Sequence, residues 1–231
     1  NSLYLHAAYL NVPSYIQWVL TLDPTWMFKD MRRILQYMQW QHFDGKRRRW
    51  LLKTPSLLGT EEVFAKVFPG VDFIVTHRHP ELVLASAAAL LCGALEHYND
   101  GDYSGSAGEI MLANFGETVK RHLQWRDSYP ADKVLDVRFD DIVHKEFEVL
   151  PCIYEFLNIP FSETSRQNIQ QWLAMDTARR QPSRRFTLAQ YGLDPSRVNE
   201  KFSGYIQRYG TFFCFAAVDG CRAQGGPEGS G

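Results

Sequence analysis

A chain of 231 residues with 45% apolar and 14% aromatic content can bury one sizeable core, as one large domain or two small ones. Its formal net charge of -1 gives no reason to expect nucleic acid as a partner. Cys92, Cys152, Cys214 and Cys221 show no metal-ligand spacing and are too sparse for a disulfide framework, so buried thiols in a reducing compartment are the default.

Residues 1–22 carry no Asp, Glu, Lys or Arg. Pro13 and the polar Asn11, Ser14 and Gln17 interrupt that run and no basic segment precedes it. It therefore reads as buried helical structure rather than a signal segment or membrane span. Residues 11–43 read as two helices broken around Asp23 and Pro24. In the second, Met27, Met31, Ile34, Leu35 and Met38 recur at helical spacing and are expected to build one apolar face. The run DGKRRR reads as a polar, solvated turn rather than a nucleic-acid patch.

WLLKTP is predicted as a short apolar strand ended by Pro55. SLLGTEEVFAKVFPG reads as a helix with Thr60 or Ser56 as N-cap and Gly70 closing its turn, and VDFIVTH as the next strand. Strand, helix and strand within about thirty residues predict a βαβ unit with parallel strands. Pro80 suits the first turn of the helix ELVLASAAALLCGALEHY. A further helix places Met111, Phe115, Val119 and Leu123 on one face, and KVLDVRF reads as a third strand. LPCIYEFLNI and SETSRQNIQQWLAM read as helices, the latter opening at Ser162. A basic, loop-rich region follows, then a last helix, and the Gly-rich segment 211–231 is expected to be a disordered tail too short of apolar residues to span a bilayer.

In open α/β sheets ligands bind beyond the carboxyl ends of the strands. Two of the predicted strands end there in cations, Lys53 after WLL and Arg78 after FIVTH. An arginine at such a position can grip a phosphate with two parallel hydrogen bonds, and the hydroxyl of Ser86, two turns into the next helix, can donate to the same anion. The residues alone leave a plainer reading open, in which Arg78 pairs with Glu81 and Ser86 is a small residue in a packed helix.

WLLKTPSLLGTEEVFAKVFPGVDFIVTHRHPELVLAS resembles the core of the sulfotransferases that use 3′-phosphoadenosine-5′-phosphosulfate. It is most similar to the branch reading W-x-L-K-[ST]-P, a helix, then T-H-R-[DN]-P with a serine eight residues past the arginine. The likeness runs from about Asn11 through LQYMQWQ, LDVRFDDIV and IYEFLNIPFS to SRRFTLAQYGLD and Tyr205. It implies an α/β fold, a parallel sheet flanked by helices as in P-loop nucleotide enzymes, over a single partial domain at 1–210. It implies that Arg78 and Ser86 bind the 3′-phosphate, that Lys53 lies near the transferred sulfuryl group, and that Phe139 stacks on adenine where relatives often have tyrosine. Ser183, Arg184 and Arg185, with Thr187, fall where the family closes over the nucleotide. No metal is implied.

The family's first strand and its phosphosulfate loop, a Gly-x-Pro-[RK]-[ST]-Gly-[ST]-type turn, are absent, and position 1 is Asn rather than Met. The expectation is an N-terminally truncated sulfotransferase, inactive or nearly so as this chain alone. The alternative is a non-catalytic interaction module that keeps the fold. A kinase-like reading lacks its Gly-x-x-x-x-Gly-Lys-[ST] motif. None of the seven histidines stands out as general base, and His77 and His79 are expected to shape the turn around Arg78. The acceptor is a small molecule or another hydroxyl compound, with an apolar, aromatic bias near residues 1–45 and 97–110 hinting at a hydrophobic one. Compartment stays open with the cytoplasm as default, as does oligomeric state.

Overall fold

The computed structural model describes residues 12–43, 48–179 and 186–212. The predicted tail at 213–231 therefore lies outside the described residues, as do Ser183, Arg184 and Arg185.

Helices α1 (Pro13–Thr21) and α2 (Thr25–His42) break at Asp23 and Pro24, as the sequence predicts; Asp23 accepts hydrogen bonds from the Thr25 amide and hydroxyl. The apolar face of α2 is narrower than its periodicity suggests. Phe28 is buried and Met27 and Met31 pack with it, whereas Ile34 and Met38 are exposed beside Trp26, Tyr37 and Trp40.

The predicted strand at 50–54 is not a strand: among the described residues nothing pairs with it. Its backbone is extended at Thr54, and it keeps strand-like alternation, with Leu52 turned to the core and Leu51 and Lys53 exposed. Period-2 patterning survives without a ladder because burial of alternate side chains needs only one covering layer, while a strand needs an edge to bond to. The predicted helix beyond it is split. A 3-10 turn at Pro55–Leu57 leads through Gly59 at φ +79° into α3 (Glu61–Val67). A Cβ at Gly59 would also lie 3.0 Å from the Thr118 backbone, so glycine is required there twice over.

Strand β1 (Phe73–His77) pairs in parallel with β2 (Val134–Arg138), in the register Phe73↔Val134, Val75↔Asp136, His77↔Arg138. The crossover consists of α4 (Pro80–Tyr98) and α5 (Ser104–Ser128), two helices packed on each other. Side-chain alternation puts Phe73, Val75 and His77 on one face with Val134, Asp136 and Arg138. That face is apolar at its amino end, where Phe73, Val134, Trp125, Phe64 and Phe28 form one buried cluster, and polar at its carboxyl end.

Leu84, Ala88, Leu91 and Leu95 of α4 are buried at i, i+4, i+7 and i+11, while Leu82, Ser86 and Leu90 face out. By length and composition α4 is also long and apolar enough to cross a membrane. Here Leu84 and Ala85 join Leu112, Leu188, Leu193, Val198 and Phe202 in a second core cluster, and Leu91 and Leu95 pack with Ala107 in a third. Beyond β2 run α6 (Phe139–His144), α7 (Glu146–Phe156), α8 (Glu163–Arg179), α9 (Pro195–Lys201) and α10 (Ser203–Tyr209). Ser162 opens α8 as predicted, its hydroxyl accepting from the Ser165 amide at 3.1 Å. A 3-10 turn at Leu188–Tyr191 lies against α4 and α5. There a Cβ on Gly108 would collide with the Tyr191 carbonyl oxygen at 2.0 Å. Cys92 is a buried free thiol, but Cys152 is disulfide-bonded, against the expectation of free thiols throughout.

Candidate active site at the carboxyl end of the sheet

Arg78 is the first residue past β1, and Phe139 the first past β2. Parallel pairing of His77 with Arg138 brings the two exits side by side. The Arg78 guanidinium lies over the Phe139 ring, 4.7 Å from its centroid, a cation–π contact worth roughly 0.5–2 kcal/mol according to its solvation. Its Nε is buried without a hydrogen-bond partner, and among the described residues no carboxylate is within ion-pair distance of it. Glu81, the partner that the plainer reading assigns to Arg78, instead accepts from Asn199 Nδ2 at 2.9 Å. The arginine is thus held by a ring, with no carboxylate among the described residues to neutralise it.

Ser86 is exposed on α4, on the strip it shares with Leu82 and Leu90. It is not the packed small residue of the plainer reading. Lys53 is exposed in the extended segment before Pro55. The contact that ties two sequence-singled residues directly together is that of Arg78 with Phe139; Ser86 and Lys53 stand on separate elements. At the end of the basic loop, Thr187 caps the 3-10 turn, its amide donating to Gln190 Oε1 at 2.8 Å, which anchors that end of the loop between α4 and α5.

Behind Arg78 lies a buried polar network that the sequence reading missed. His77 is 1% exposed and uses both ring nitrogens: Nε2 is 2.9 Å from Asp136 Oδ1, and Nδ1 is 2.8 Å from the Tyr205 hydroxyl. Arg126 Nη2 donates to Asp136 Oδ2 at 3.2 Å. Burial pushes the Asp136 carboxyl up, but the hydrogen bond from His77 and the charge and hydrogen bond of Arg126 hold it below the ordinary aspartate value. Burial keeps His77 below its usual value, more strongly than Asp136 draws it up. Burial likewise raises the Tyr205 phenol far above its usual value. The protons are then ordered. The Tyr205 hydroxyl donates to His77 Nδ1, and neutral His77 donates through Nε2 to an ionised Asp136. Tyr209 stacks on the imidazole at 3.9 Å, its own phenol pushed up to about 12 by burial.

A charged residue in the middle of the apolar run VLDVR was the available signal, since a carboxylate on a buried strand face requires a partner. The partners themselves, Asp136 and Tyr205, lie 59 and 128 residues from His77 in sequence.

The described histidines are all placed by this geometry. His77 and His122 are buried against carboxylates, His122 Nδ1 lying 2.8 Å from Glu61 Oε1. His79 caps α4 by accepting from the Glu81 amide, so His77 and His79 do shape the turn around Arg78. His42, His97 and His144 lie in the last turns of their helices, where positive charge is favoured. Among the described residues no group of three or more His, Cys, Asp or Glu could hold a metal ion.

A sheet end with an arginine held by an aromatic ring, and with no carboxylate partner among the described residues, suits a planar, anionic ligand. Comparison with known proteins agrees with that architecture. The description "Sulfotransferase family" matches residues 4–163, more than half of the chain. No curated protein matches it. Among solved structures, the fold resembles the sulfotransferase STF9 from Mycobacterium avium with a TM-score of 0.77 and 22% identity, covering 93% of this chain and 53% of that one. It also resembles the sulfotransferase STF1 from Mycobacterium tuberculosis H37Rv with a TM-score of 0.69 and 26% identity, covering 85% of this chain and 50% of that one. The chain thus spans about half the length of the solved proteins it matches. With the α/β topology and the family match in agreement, this chain belongs to the sulfotransferase family.

Proposed function

We propose that the chain carries the nucleotide end of an enzyme that moves a sulfuryl group from 3′-phosphoadenosine-5′-phosphosulfate to an acceptor hydroxyl without a metal. The observation that supports this most is the Arg78 guanidinium, seated over Phe139 at 4.7 Å and without a carboxylate partner among the described residues. When bound, the donor supplies a sulfuryl group attached to a phosphate leaving group. In this reading Arg78 grips the 3′-phosphate with paired donors and Ser86 adds a hydroxyl. The part of the half-buried Phe139 ring left free by Arg78 offers a surface for the adenine. Lys53 neutralises charge on the departing 5′-phosphate, and Ser183, Arg184 and Arg185 close over the nucleotide. The acceptor oxygen bonds to sulfur as the sulfur–oxygen bond to the phosphate breaks, the bonding pair leaving with the phosphate and the acceptor's proton passing to a base.

Charge neutralisation and alignment are the protein's main contributions to such a transfer. The acceptor in this reading is hydrophobic, in keeping with exposed Trp26, Tyr37 and Trp40 on α2. Transfer of radiolabelled sulfate from the donor to a panel of alcohols and phenols tests the proposal. Lys53→Ala is expected to lower kcat by roughly 10²–10³-fold, as removal of a charge-stabilising donor does. A rate indifferent to Lys53 removes it from the mechanism. A folded protein that neither transfers to a hydroxyl acceptor nor binds adenosine 3′,5′-bisphosphate would be the non-catalytic interaction module instead.

A further inference from the structure

Arg78 is held from two directions. Its guanidinium rests on Phe139, while the residue immediately before it, His77, is hydrogen-bonded to the hydroxyl of Tyr205, on α10. That hydroxyl donates a hydrogen bond to His77 Nδ1, and His77 donates in turn to Asp136 in the neighbouring strand. The exit of β1 is thus tied, through the side chain that precedes Arg78, to a phenol from the far end of the chain. The imidazole is sealed there by Tyr209 and Phe212, with Arg126 completing the bonding of Asp136. No other partner for His77 Nδ1 is present among the described residues.

We propose that Tyr205 is a positioning residue for Arg78: its hydroxyl fixes the strand-end backbone from which the guanidinium projects, and so sets how strongly the site prefers nucleotides that carry a 3′-phosphate. The inference rests on the nucleotide reading above. It adds a dependence of that subsite on α10, an element that need not touch the nucleotide. Removing only the hydroxyl leaves the ring in its aromatic packing, while the His77 ring nitrogen loses its partner in a place closed to water. The strand end is then free to turn, and a bidentate grip is sensitive to such a turn.

The test is the ratio of dissociation constants for adenosine 5′-monophosphate and adenosine 3′,5′-bisphosphate, measured by calorimetry on the full chain, Arg78→Ala and Tyr205→Phe. Arg78→Ala should collapse the ratio. Tyr205→Phe should lower it roughly 3–10-fold, about the equivalent of one neutral hydrogen bond, while leaving the monophosphate constant within about twofold. His77→Gln, read in the same way, should lower the ratio too, and it carries the test should Tyr205→Phe fail to fold. Equal weakening of both nucleotides, or no change in the ratio, would overturn the positioning role. The nucleotide reading would survive that result provided Arg78→Ala still collapses the ratio. An unmodified protein with no preference for the bisphosphate would overturn both.

Discussion

The two ends of one short sheet are built to opposite specifications. At the amino end, Phe73 of β1 meets Trp125 edge to face, with ring centroids 5.0 Å apart, and Val134, Phe64 and Phe28 complete a dry cluster. At the carboxyl end, one turn of alternation further along the same face, the residues are His77, Asp136 and Arg138. The first end is stabilised by area removed from water and is tolerant of the order in which its rings are arranged. The second depends on a directional chain of hydrogen bonds whose members lose most of their value if one is missing. A two-stranded parallel sheet has little intrinsic stability, so the apolar end must hold the strands while the polar end presents Arg78.

This contrast can be broken from either side. Trp125→Ala should cost roughly 3–5 kcal/mol of stability in chemical denaturation, with the nucleotide preference of the remaining folded protein unchanged. A loss of preference in step with stability would mean that the two ends are not separable. Arg78→Ala should do the reverse: about 1.5–3 kcal/mol of affinity for adenosine 3′,5′-bisphosphate lost in titration calorimetry, with the melting temperature nearly constant.

The smallest effect concerns pH. His77 titrates below its ordinary value of 6.5 when folded, so the unfolded chain binds a proton first as pH falls. Stability present at neutral pH should therefore decline below about pH 6.5, by at most about 1.4 kcal/mol per pH unit from this residue. Asp136, held below its ordinary 3.8, adds a second decline only once pH falls past that value. Denaturation midpoints across pH 4–8 should slope in the native protein and flatten in His77→Gln. Equal slopes would remove His77 as the source.

Much of this arrangement could be read from the residues, and what could not has a physical reason. Pro80 at a helix start, Ser162 as a cap and the break at Asp23 are local signals, and the structure bears them out. The adjacency of Arg78 and Phe139 follows from placing two strands in parallel and asking what comes next. The strand predicted at 50–54 fails because alternation records which side chains are covered, not whether a neighbouring backbone is in place. Ile34 and Met38 fail similarly: their spacing marks a helix face, but α3 covers only the part around Phe28 and Met31. The network around His77 was out of reach because Tyr205 lies 128 residues away, and nothing in the local sequence says which hydroxyl will arrive.

The central claim is that Arg78 and Ser86 face one phosphate. A crystal structure of the protein with adenosine 3′,5′-bisphosphate tests it most directly. The account predicts 3′-phosphate oxygens within about 2.7–3.2 Å of both the Arg78 guanidinium and the Ser86 hydroxyl. A phosphate bound elsewhere, or held by Arg78 with Ser86 turned away to solvent, would contradict it.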